Sequence, residues 1–68
     1  MENNLDLKMI GFNNELMLLA KKHGVYGAEL NTLFTWREEG GTVRYFLSDV
    51  PPNEFVNEAI ALFRTHFH

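Results

Sequence analysis

The sequence predicts an α+β fold of αββα order, an antiparallel β-hairpin with two amphipathic helices packed on one of its faces. Three observations predict it. Apolar residues recur at steps of four and three near both ends, the middle alternates apolar with polar residues, and Gly40-Gly41 breaks that alternation at its centre.

The first helix rests on Leu5, Met9, Phe12, Leu16 and Leu19, which line one face, with Ile10 and Met17 widening the stripe. Asn3 or Asn4 can cap its start, and Asp6 suits the positive end of the helix dipole. Lys21, Lys22 and His23 suit the other end, with Gly24 as the expected terminator. Gly11 lies inside this helix at a cost of about 1 kcal/mol relative to Ala. A short strand over 4–10 is the rival reading, but the stripe keeps its register through Gly11 and favours one continuous helix. Tyr26, in a glycine-flanked loop, is expected to bury its ring at the joint between helix and hairpin.

The hairpin reading starts at Leu30. Leu30, Thr32, Phe34 and Trp36 alternate with Asn31, Leu33, Thr35 and Arg37, and Thr42 to Ser48 alternates again. Taking Glu38-Glu39-Gly40-Gly41 as a four-residue loop pairs Arg37 with Thr42, Trp36 with Val43, Phe34 with Tyr45, Thr32 with Leu47 and Leu33 with Phe46. That register gathers Leu30, Phe34, Trp36, Val43, Tyr45 and Leu47 on one face. The last helix follows Pro51-Pro52, read as its first turn. Its stripe is Val56, Ile60, Phe63 and Phe67, flanked by Ala59 and Leu62. Phe34, Trp36, Tyr45, Ile60 and Phe63 are the expected core.

Composition narrows the chemistry. Residues 1–68 make one small domain, and a core of that size rarely supplies more than roughly 3–5 kcal/mol without a disulfide, a metal or a partner. The chain has no Cys, which removes disulfides and thiolate chemistry. Six Lys and Arg against nine Asp and Glu give a net charge of −3, a poor match to a polyanion. Neither a signal-like leader nor an apolar run of membrane-spanning length is present, so the expectation is a cytoplasmic protein without a membrane role.

Catalytic and cofactor chemistry find little support. Ser48 and Asp49 read as turn and capping residues with no histidine nearby, and Glu38-Glu39 read as a solvated turn. His66 and His68 are too closely spaced to share a helical metal site, so no metal and no cofactor are expected. His23 and His66 are explained by helix C-terminal dipoles.

A function in binding is the remaining expectation. The hairpin's second face carries Asn31, Leu33, Thr35, Arg37, Arg44, Phe46 and Ser48, and Leu33, Arg37, Arg44 and Phe46 are the expected partner-binding residues. Free strand edges also invite pairing with a second copy, so the expected partners are a homodimer mate, another protein, or both. The size is that of an adaptor or inhibitor, such as the accessory proteins of phages and mobile elements. The alternative is a nucleic-acid-binding regulator of winged-helix form, with 27–35 helical and the Gly40-Gly41 hairpin as the wing. Helix propensity at Asn31, Thr32 and Thr35 speaks against it.

Overall fold

A computed structural model describes residues 4–48 and 53–67. It contains three helices and one two-stranded antiparallel hairpin, in the order α1 (Asn4–His23), α2 (Gly27–Leu33), β1 (Phe34–Glu39), β2 (Thr42–Leu47) and α3 (Glu54–His66).

The first helix is continuous through Gly11, as its stripe predicts, and residues 4–10 are helical, but Ile10 and Met17, expected to widen that stripe, are exposed. Gly24 ends it at φ +70°, a backbone that favours glycine. Its N–H donates to the Lys21 carbonyl at 3.2 Å, and the Val25 N–H donates to the Ala20 carbonyl at 2.9 Å, so two orphan carbonyls of the last turns are satisfied. This closure turns Val25 back onto the helix, where it is buried. Tyr26 then points outward and is 65% exposed, so Val25 fills the joint assigned above to Tyr26.

Residues 30–33 are helical, which corrects the strand expected there and inserts α2 into the order. Leu30 and Phe34 sit four apart as well as two strand steps apart, so the apolar spacing fits either geometry. Ala28, Glu29, Leu30 and Leu33 favour the helix, and Thr32 returns its hydroxyl to the Ala28 carbonyl at 2.9 Å. Phe34 has extended backbone, and its N–H closes on the Leu30 carbonyl, so the chain passes from helix to strand without a loop.

The hairpin turns on Gly40-Gly41 alone, with φ +59° and +88°. Two consecutive positive φ values give the tight turn whose twist matches the strands. Glu38 braces it, accepting from the Gly41 N–H at 2.6 Å. The observed register pairs Phe34 with Leu47, Thr35 with Phe46, Trp36 with Tyr45, Arg37 with Arg44, Glu38 with Val43 and Glu39 with Thr42. This corrects the expected pairing by two residues. Side chains alternate with period two, so the faces survive the slip.

The third helix opens at Glu54 with Asn53 as its cap, the Asn53 side chain accepting from the Val56 N–H at 2.8 Å. Pro51 and Pro52, expected in the first turn, lie outside the described residues. Phe55, Val56, Ala59 and Phe63 are its buried positions, while Ile60, Leu62 and Phe67 are half-buried against the core. Phe55 is buried outside the Val56–Ile60–Phe63–Phe67 stripe, and Phe55, Ala59 and Phe63 repeat at steps of four.

The centre of the core is Phe12, with no exposed surface. Its ring meets Trp36 at 5.0 Å, Phe67 at 5.4 Å and Phe63 at 5.5 Å between centroids, each edge-on. Tyr45 stacks on Phe34 at 5.5 Å and meets Phe63 edge-on at 4.9 Å. These rings tie the Phe34–Trp36–Tyr45 face of the hairpin to α1 and α3 and leave its other face outward. Phe34 and Phe63 are fully within the core, whereas Trp36, Tyr45 and Ile60 are only half-buried.

Candidate functional site

Among the described residues, the outward face of the hairpin is uncovered. Thr35, Arg37 and Glu39 of β1 and Thr42, Arg44 and Phe46 of β2 are all exposed. Arg37 and Arg44 lie directly opposite each other in the ladder. Like charges in that position destabilise an antiparallel pair. Arg37 is partly compensated, because its guanidinium lies 4.4 Å from the Phe46 ring centroid and its Nε lies 3.5 Å from Glu39 Oε1. An exposed cation–π contact contributes about 0.5–1 kcal/mol. Arg44 has no ion-pair partner among the described residues. The result is an aromatic ring held flat under one cation with a second cation beside it.

Three of the four residues expected to bind a partner, Arg37, Arg44 and Phe46, therefore share this face. Leu33 does not. It closes α2, is half-buried, and lines a concavity of about 480 Å³ with His23, Val25, Glu54 and Phe55. Its expected pairing with Phe46 fails because the helix ends at Leu33, and Thr35 takes the place opposite Phe46. Thr35 also donates its hydroxyl to the Phe46 carbonyl at 3.3 Å.

A second polar cluster lies on the seam between α1 and α3. Glu58 accepts hydrogen bonds from His23 and from Lys22, the latter at 3.4 Å, and Glu15 pairs with His66 Nε2 at 2.7 Å. The His23 hydrogen bond, helped by Lys22 and opposed by some desolvation, holds the Glu58 carboxyl below its ordinary 4.5. Between these pairs runs an open groove of about 580 Å³ with Leu18, Leu19 and Leu62 on its walls. The sequence accounts for His23 and His66 by helix dipoles alone. Their carboxylate partners come from the antiparallel run of α1 against α3, which local spacing does not reveal.

Among the described residues, no histidine is hydrogen-bonded to Ser48, the chain's one serine. The Ser48 hydroxyl is buried without a hydrogen-bond partner among the described residues, and Asp49 lies outside them. Glu38 is occupied by the Gly41 N–H and Glu39 by Arg37. Among the described residues no group of three or more His, Asp or Glu side chains is placed to hold a metal. No described helix is long and apolar enough to cross a membrane. No protein-family model, curated protein or solved structure matches the chain.

Proposed function

We propose that this is a non-catalytic protein-interaction module, an adaptor or inhibitor, whose contact surface is the outward face of the hairpin. The observation that carries this reading is the direct opposition of Arg37 and Arg44 beside the exposed Phe46 ring. In the isolated chain two opposed cations cost stability. Against a partner carboxylate, both would make charge-assisted hydrogen bonds while Phe46 enters an apolar recess. The partner surface that fits is acidic with an apolar dent. Arg and aromatic anchors at the centre of a small interface commonly carry most of its binding energy.

The nucleic-acid reading gains one observation, since α2 directly precedes the hairpin as a winged-helix form requires. The charges oppose it. The exposed side of α2 offers Glu29, Asn31 and Thr32 with no cation, and the hairpin tip carries Glu38 and Glu39. Phosphate recognition needs Lys and Arg at those places.

Quantitative affinity capture from source-cell extract tests the proposal, comparing the wild type with Arg37→Ala/Phe46→Ser and with Asn57→Ala, an exposed position on α3. A protein retained by the wild type and by Asn57→Ala but lost from the double variant supports it. Equal retention by all three, or capture of nucleic acid alone, overturns it.

A further inference from the structure

We infer that the outward face of α1 is a self-association surface on which a second copy docks its own α1 in antiparallel orientation. The face that α1 turns to the core carries Phe12, Leu16 and Ala20. On the opposite side Leu7, Ile10, Asn14, Met17 and Lys21 follow one another at steps of three and four, the spacing of a helix-pairing seam. Leu7 is 49%, Ile10 59% and Met17 53% exposed, and Leu18 and Tyr26 beside them are more exposed still. One apolar side chain exposed on a helix is ordinary, but a seam of them on a helix whose core face is already satisfied is not.

Charge and shape select the occupant. A twofold axis crossing α1 between Asn13 and Asn14 sets Ile10 opposite Met17 of the second copy. The same axis sets Asp6 opposite Lys21 of that copy. Neither Asp6 nor Lys21 has an ion-pair partner within the chain among the described residues. A parallel arrangement would instead oppose like charges at both ends. The seam's C-terminal half also carries a dent of about 310 Å³ bordered by Met17, Lys21 and Tyr26. The antiparallel operation brings Leu7 of the second copy to that dent, so each protomer supplies one projection and one recess. Asn14, in mid-seam, meets the asparagines of the other copy, where a buried amide pair fixes register.

The area is adequate. Five partly exposed apolar side chains offer on the order of 100 Å² each, so two copies would bury roughly 1,000 Å² in all, the size of a weak, reversible interface. The helix is 20 residues, about 30 Å, long enough for the whole seam to engage. The seam is carried by α1 and the proposed hairpin contact by β1 and β2; Met17 and Thr35 border one concavity, but Ile10 and Phe46 test the two readings separately.

Sedimentation equilibrium of the full chain across a wide concentration range is the test. The wild type should dimerise, and Ile10→Glu should weaken association at least about thirtyfold. Asp6→Lys alone should weaken it by a few-fold, and Asp6→Lys/Lys21→Asp should restore it. Because the chain has no cysteine, single thiols report orientation cleanly. With a short bis-maleimide, Asn14→Cys should cross-link to itself across the axis and Leu7→Cys should not. A wild type that stays monomeric overturns the inference. So does a dimer indifferent to Ile10→Glu, one that Phe46→Ser dissociates, or efficient self-cross-linking of Leu7→Cys.

Discussion

Arg37 and Arg44 face each other directly across the hairpin, on the side that no described element covers. A two-stranded ribbon is marginal by itself, and this pair makes it more so. Substituting Arg44→Thr removes the repulsion and places a strand-favouring residue in β2. The isolated protein should gain about 0.5 kcal/mol, read as a higher chemical-denaturation midpoint. The same variant should bind the partner less well, and that opposition between stability and binding marks a functional residue.

The core converges on Phe12, so Phe12→Ala should be disproportionately damaging. A buried Phe→Ala change costs about 3–5 kcal/mol, the whole margin a core of this size supplies. Loss of the cooperative thermal transition and of near-ultraviolet circular dichroism is the expected result.

Gly11 offers the opposite outcome. A Cβ added there would sit 3.7 Å from the His66 ring, ordinary van der Waals contact. Gly11→Ala should therefore stabilise the protein by about 0.5–1 kcal/mol through backbone entropy alone, visible as a raised thermal midpoint.

The pH dependence follows from Glu58. Its carboxyl is held below 4.5 in the folded chain, mainly by His23. A depressed folded-state value stabilises above the unfolded value and loses that contribution as pH falls through the folded one. Thermal midpoints should thus decline on acidification below 4.5, and Glu58→Gln should decline less over the same interval while starting lower at neutral pH.

Much of this arrangement is legible in the sequence. The long first helix, its terminator Gly24 and the division of hairpin residues into two faces follow from periodicity and turn chemistry. Arg37, Arg44 and Phe46 fall on one face because period two survives a register error of two residues. The register itself depends on loop length, and Glu38-Glu39 could extend the strands or the loop with little difference in local preference. Only the paired positive φ of Gly40 and Gly41 decides for the tighter turn. Leu33 drops from the face because Leu30–Phe34 satisfies helix and strand spacing alike with Leu30 buried in either, and the chain takes the helix, whose end is the Phe34 N–H on the Leu30 carbonyl. The His23–Glu58 and His66–Glu15 pairs join residues far apart in the chain, which no local pattern encodes.

The outward hairpin face is the surface proposed to meet another protein. Amide chemical-shift mapping, with the captured partner titrated into the labelled chain, tests that most directly. Shifts concentrated at Thr35, Arg37, Arg44 and Phe46, with the Phe12 core undisturbed, are the result predicted. Shifts confined to the α1–α3 groove, or spread over α2 with the hairpin silent, would contradict it.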